Sequence, residues 1–151
     1  MQYSYLCNIV ANRLIMQAHD ILHSRQLTKT PCRSEMLRVL ITKRIALSEE
    51  EIRDSLLVDF DRATIYRTLR TFVEMNIIHR VLLSPTEVKY AITNPVKEHA
   101  GRPGHAHFRC ETCTRVFCLG TLAVDESRVP EGFEIKEVEI VLNGICDQCK
   151  E

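Results

Sequence analysis

Leu6, Ile9, Val10, Leu14, Ile21 and Leu22 recur at the intervals that line one face of an α-helix, and Met36, Leu37, Leu40 and Ile41 repeat the pattern after Thr30-Pro31. Proline suits a first helical turn, where its missing N–H would have no partner in any case, so two amphipathic helices are predicted. Ser48-Glu49-Glu50-Glu51 has the form of a capping box, in which the Ser hydroxyl and the Glu carboxylate each accept from the other's backbone N–H. It predicts a short helix through Ile52, Leu56 and Leu57. Asp61 can cap the next helix, where Ile65, Leu69 and Phe72 share a face and Arg62, Thr64, Tyr66, Arg67 and Arg70 include the polar, basic remainder. Two apolar stretches, Ile77 to Leu83 and Val88 to Ile92, flank Ser84-Pro85-Thr86-Glu87 and predict a hairpin. Helices followed by a hairpin predict a winged helix-turn-helix over residues 1–92, with 1–15 as an extension.

Pro95, Pro103, Gly101 and Gly104 fall within residues 93–104 and predict a hinge there. Beyond it, over residues 105–151, His105 to Arg109 and Val116 to Leu119 read as strands and Leu122 to Arg128 as a short helix. Phe133 to Leu142 reads as one long strand. Phe133 and Ile135 lie on the opposite phase from Val138, Ile140 and Leu142, so that strand needs a bulge near Lys136. The expected class is α+β, a winged helix joined to a small α/β domain.

The 151 residues are 45% hydrophobic and 26% charged, a composition that excludes disordered and collagenous chains. The apolar runs are far shorter than the ~20 residues of a membrane helix. Met1 to Met16 does not have the charge order or small-residue cleavage site of an export signal, so a cytoplasmic protein is expected. Twenty basic and twenty acidic side chains cancel overall, but residues 1–93 carry 13 Lys and Arg against 10 Asp and Glu, and residues 94–151 carry 7 against 10. The helical half is therefore the basic one, as a nucleic-acid-binding half would be.

Seven cysteines in a chain without an export signal point to thiols or metal ligands. Cys110-Glu-Thr-Cys113 and Cys146-Asp-Gln-Cys149 are two C-x-x-C pairs, each able to turn two thiolates onto one ion. Together they complete a tetrahedral zinc site, and four thiolates leave no open coordination position, so the zinc is structural. A redox C-x-x-C would sit at a helix start in a βαβ unit, which neither pair has. Cys7 and Cys32 read as small buried residues; Cys118 reads first as core filler, with a metal ligand or redox-sensitive thiol as the alternatives.

Four segments now carry a resemblance. Thr30-Pro31-Cys32-Arg33, the string Arg62-Ala63-Thr64-Ile65-Tyr66-Arg67-Thr68-Leu69, His105-Ala106-His107-Phe108-Arg109-Cys110-Glu111-Thr112-Cys113, and Cys146-x-x-Cys149 occur in the order found in the ferric uptake regulator (Fur) family of bacterial metal-responsive repressors, which this chain resembles over residues 20–149. The resemblance implies a DNA-binding winged helix, a C-terminal dimerisation domain, and a homodimer on a palindromic operator in double-stranded DNA. It implies Tyr66 and Arg67 as the DNA-contacting pair and Arg33 as a phosphate contact; Arg62, Thr64 and Arg70 join them by position on the helix. Arg67 can fork onto guanine or phosphate, and Tyr66 can pack on a thymine methyl.

The family's second, regulatory metal site at the hinge is only partly matched. His105 and His107 fit its H-x-H ligands and Asp125 falls where a carboxylate is common, whereas Ala46, Ala91 and Val138 stand at usual ligand places and Cys118 at a usual Asp or Glu. Three readings follow: a sensor rebuilt on His105, His107 and Asp125 with His99, Glu98 or Cys118, binding zinc, iron or manganese; a sensor that has decayed, leaving a constitutive dimer; or oxidation of Cys118 or a zinc thiolate as the signal. Gly-rich phosphate loops, nucleophile elbows and H-E-x-x-H are missing from the sequence, so neither an enzyme nor a small-molecule substrate is expected, and a membrane partner is not expected either. A zinc-ribbon protein-interaction module is the remaining alternative.

Overall fold

The computed structural model describes residues 16–93, 106–119, 129–136 and 138–150. Helix α1 (residues 16–24) is followed by α2 (Pro31–Lys43), α3 (Glu49–Asp54) and α4 (Arg62–Glu74), then by strands β1 (Ile78–Ser84), β2 (Glu87–Ile92), β3 (Ala106–Cys110), β4 (Val116–Cys118) and β5 (Ile140–Gly144). This is an α+β chain. No helix among the described residues is long and apolar enough to cross a membrane.

The helix starts are set by short polar side chains. Thr30 accepts from the Arg33 N–H with Pro31 in the first turn of α2, Ser48 and Glu51 form the reciprocal capping box of α3, and Asp61 accepts from the Thr64 N–H at the start of α4. At the other end of α2, Arg44 takes a left-handed conformation, φ 55°, and its N–H returns to Leu40 O. The buried faces of the four helices meet in one core that includes Leu22, Met36, Leu37, Leu40, Ile52, Ile65, Leu69 and Phe72, closed by Ile77 and Ile78 at the start of β1. Cys32 lies in that core, as its sequence reading expects, with its thiol 3.6 Å from Thr68 Oγ1.

β1 and β2 form the expected hairpin, and β4-β3-β5 form a second sheet in which β3 runs antiparallel to β4 and parallel to β5. The stretch between α2 and α3 splices the two sheets. Leu47 exchanges both backbone hydrogen bonds with Tyr90 of β2, at 2.7 and 2.9 Å, while the Ala46 N–H donates to Val116 O of β4 at 2.8 Å. Around this splice Ala46, Val81, Ala91 and Val116 form a second, small apolar cluster with Leu83 against it. It joins the hairpin to the C-terminal sheet.

One expected element differs. The long strand over Phe133 to Leu142 begins only at Ile140; residues 133–136 are not a strand, Gly132 turns the chain at φ 88°, and Phe133 stands 73% exposed. The phase break in the apolar pattern marks the end of a loop, not a bulge within one strand. Residues 1–15, most of the expected hinge and the short helix expected over 122–128 lie outside the described residues.

Candidate metal centres and nucleic-acid interface

Parallel pairing explains the four-cysteine site. β3 and β5 run side by side with Cys110 opposite Gly144, so both strands end at the same edge of the sheet and both C-x-x-C turns leave from there. The Glu111 N–H donates to Gly144 O at 2.7 Å, tying the first turn to the second strand. Gly144 leaves room for this approach, since a Cβ there would press on the Phe108 ring at 3.2 Å. The sulfurs of Cys110, Cys113, Cys146 and Cys149 all lie within 4.8 Å of one another, with Cys113 Sγ 3.8 Å from Cys146 Sγ. A tetrahedron with Zn–S bonds of about 2.3 Å has edges of about 3.8 Å, so the donor set and spacing fit zinc(II).

The surroundings of Cys110 and Cys113 favour the thiolate, and those of Cys149 the thiol. Backbone amides of Cys113 and Cys146 donate to Cys110 Sγ and bring its pKa down to about 6. Arg115 donates from Nε to Cys113 Sγ at 3.1 Å and holds that thiol below its ordinary value, whereas Cys149, as the hydrogen-bonded partner of Cys146, is pushed up to about 12. Arg115 is itself fixed: Nη1 donates to Gln148 Oε1 at 2.7 Å and the guanidinium sits 5.8 Å from the Phe117 ring centroid. It places one positive charge beside a centre that four thiolates around a divalent ion would make doubly negative.

A second cluster gathers residues from three strands. His107 of β3 lies directly opposite Cys118 of β4, and His79 reaches them from β1 of the hairpin. His79 Nε2 is 3.2 Å from His107 Nε2 and 3.6 Å from Cys118 Sγ. A tetrahedral ion with nitrogen ligands at about 2.05 Å and sulfur at about 2.3 Å has an N···N edge of about 3.3 Å and an N···S edge of about 3.6 Å. The three side chains therefore stand at the spacing of three zinc ligands. His107 is buried, His79 half-buried and Cys118 exposed.

This cluster corrects the sequence reading of Cys118, which is exposed and faces two histidines instead of filling the core. It also adds His79, whose sole mark in the sequence is a histidine interrupting the apolar run Ile77-Ile78-His79-Arg80-Val81. His107 is brought in as expected. His105, Asp125, His99 and Glu98 lie outside the described residues. Ala46 and Ala91, at places where the family resemblance leads one to look for ligands, are buried in the apolar splice.

The outward side of α4 carries the candidate DNA-contacting set. Arg62, Tyr66 and Arg70 follow one another at four-residue steps, all exposed, with Tyr66 at 57% despite its ring. Arg62 is bridged to the half-buried Glu49 and Arg70 to the exposed Glu74, and both exposed guanidinium groups can turn onto a phosphate at small cost. Arg67 is exposed and donates from Nε to Ala63 O of its own helix. Thr64 is less available than expected, because its hydroxyl donates to the Asp61 carboxylate. Arg33 is half-buried at the start of α2, its Nη1 on Thr28 O.

Comparison with known proteins agrees with this layout. A curated relative from Synechococcus elongatus, a ferric uptake regulation protein, is 25% identical over 138 residues, covering 85% of this chain and 90% of that protein. A peroxide-responsive repressor PerR from Staphylococcus aureus is 24% identical over 129 residues, covering 81% and 82%. Among solved structures, a zinc uptake regulator complexed with zinc and DNA superposes with a TM-score of 0.67 at 24% identity, over 91% of this chain and 93% of that one. The iron-bound Francisella tularensis ferric uptake regulator gives 0.59 at 23% identity, covering 83% and 96%. These structural likenesses concern the fold. The family model described as the ferric uptake regulator family matches residues 24–143, and the chain belongs to that family.

Proposed function

We propose that this protein is a DNA-binding transcriptional repressor that works as a homodimer in the cytoplasm, with a structural zinc at Cys110, Cys113, Cys146 and Cys149 and a regulatory divalent metal held by His79, His107 and Cys118. The observation that carries the regulatory part is the pair of distances, 3.2 and 3.6 Å, joining a hairpin strand to two strands of the C-terminal sheet. Residues 1–92 act as the winged helix, with α4 as recognition helix and β1-β2 as wing. Residues 105–151 form the dimerisation domain, and 93–104 the hinge.

Support for the dimer comes from β5, an edge strand of its sheet among the described residues, with Leu142 on it and Ile145 just beyond it exposed. An edge strand with exposed apolar side chains is a surface that a second copy can cover. A two-fold pair presents two α4 helices to the two halves of a palindrome. When His79 shares a metal with His107 and Cys118, β1 is fixed to the C-terminal sheet, and the wing and recognition helix are held in one orientation relative to the partner's. The His2Cys donor set favours zinc over iron or manganese by softness. The exposure of Cys118 keeps a thiol-oxidation reading in play, since a sulfenate formed there by peroxide would remove a ligand.

The test is binding to an operator selected from a random duplex pool, with zinc added and removed. Replacing Tyr66 and Arg67 together by Ala is expected to abolish specific binding while dimer and structural zinc remain. Retained binding by that variant contradicts the assignment of α4.

A further inference from the structure

Lys89 is the one lysine buried among the described residues, 6% exposed, and it lies on β2 of the hairpin. Its Nζ sits 2.9 Å from both carboxylate oxygens of Glu51. Glu51 is also the third residue of the α3 capping box, its Oε2 accepting from the Ser48 N–H at 2.6 Å. One carboxylate thus ties the start of α3 to the hairpin. Burial alone would raise its pKa, but the Ser48 N–H and the Lys89 ammonium outweigh this and hold it below the ordinary value, so the carboxylate is charged at neutral pH.

An ion pair whose carboxylate is half-exposed is a weak source of stability, because solvent screens much of the attraction. Its effect here is geometric. Leu47 pairs with Tyr90 through the backbone immediately before the Ser48 cap, and Ile52 of α3 shares the core with Ile78 of β1. Lys89 adds a polar attachment to these, one turn into the helix. From α3 the connection continues to the recognition helix through Glu49, 3.2 Å from Arg62 Nε, and through Ile52 and Ile65 in the common core. On the other side Lys89 is opposite Val81 in β1, two residues from His79.

We propose that Lys89 is a positioning residue which, through Glu51, makes the hairpin and the α3–α4 pair one rigid body, so that fixing His79 in the metal site also fixes the recognition helix. This rests on the function proposed above. Lys89 itself is buried, with its ammonium on the carboxylate.

The test compares the full-length protein, with zinc at the four-cysteine site alone, with its Lys89→Met, Lys89→Arg and Glu51→Gln variants, the last keeping an oxygen to accept from Ser48 N–H. Cobalt(II) binding at the His79 site is followed by its absorption, and operator affinity is measured with and without the second metal across a salt series. In Lys89→Met and Glu51→Gln, cobalt should bind as in the wild type, while the metal-dependent gain in operator affinity should shrink by about 2- to 30-fold, the range of side-chain effects on coupling. Lys89→Arg should retain most of the gain, and the slope of affinity against salt should not change. An undiminished gain in both Lys89→Met and Glu51→Gln overturns the proposal and leaves the function intact. A salt slope reduced by about one in Lys89→Met also overturns it, since that marks a direct phosphate contact. A wild type that shows no gain with metal overturns this proposal together with the metal-sensing function beneath it.

Discussion

The two candidate metal centres are built on opposite plans. The four-cysteine site takes all its ligands from turns at one end of β3 and β5, is uniform in sulfur and completes its own tetrahedron. The His79 site takes one ligand from each of β1, β3 and β4, mixes nitrogen with sulfur, and keeps an exposed residue at its rim. A site confined to one sheet can stabilise that sheet but cannot report on the rest of the molecule. A site that spans the hairpin and the C-terminal sheet is occupied only when those parts are together, so its metal affinity is coupled to their arrangement.

The largest effect should come from breaking the local site. Cys146→Ser leaves three thiolates, and structural zinc in small domains contributes about 10–16 kcal/mol of binding free energy at neutral pH. Loss of one zinc per chain by elemental analysis, with protease sensitivity after β3, is the expected result. His79→Ala should do the reverse: the four-cysteine zinc stays, while cobalt affinity at the second site falls by more than the roughly 10- to 100-fold that removal of an outer-shell partner costs. A smaller effect is expected from Arg115→Met, which removes the N–H donor and positive charge from Cys113 Sγ. Zinc release to a chelator should quicken by about 10- to 100-fold with the zinc content of the untreated protein unchanged. The smallest concerns Thr114, a β-branched residue held at φ 58° just after the first C-x-x-C turn. Thr114→Gly relieves a conformation that costs non-glycine residues on the order of 1 kcal/mol, and a small rise in melting temperature is expected.

The same contrast decides what could be read from the sequence. Ser48 and Asp61 act on backbone amides three residues away, so their caps are visible in the local order of residues, and both are present. The C-x-x-C pairs are legible for the same reason: each is a complete local turn, and only their meeting needs the fold. His79 and Cys118 are 39 positions apart and become neighbours only when the 45–47 stretch splices the hairpin to β4. No periodicity along the chain records that splice. The misread strand has a different cause. Phe133 and Ile135 are apolar and alternate as strand residues do, yet Phe133 is largely exposed, and an exposed apolar residue and a buried one look alike in a pattern. Alanines at 46 and 91 look like lost ligands in the sequence; in the fold they are the small residues that let the splice close.

The central claim is that His79, His107 and Cys118 together bind a metal separate from the four-cysteine zinc. Cobalt(II) titration of protein carrying zinc at the four-cysteine site alone, followed by absorption, tests it most directly in the wild type, His79→Ala and Cys118→Ser. The account predicts one cobalt per chain beyond the zinc, with a thiolate-to-cobalt charge-transfer band that disappears in Cys118→Ser and a weakened titration in His79→Ala. No bound cobalt in the wild type, or one whose spectrum and affinity are the same in all three proteins, would contradict it.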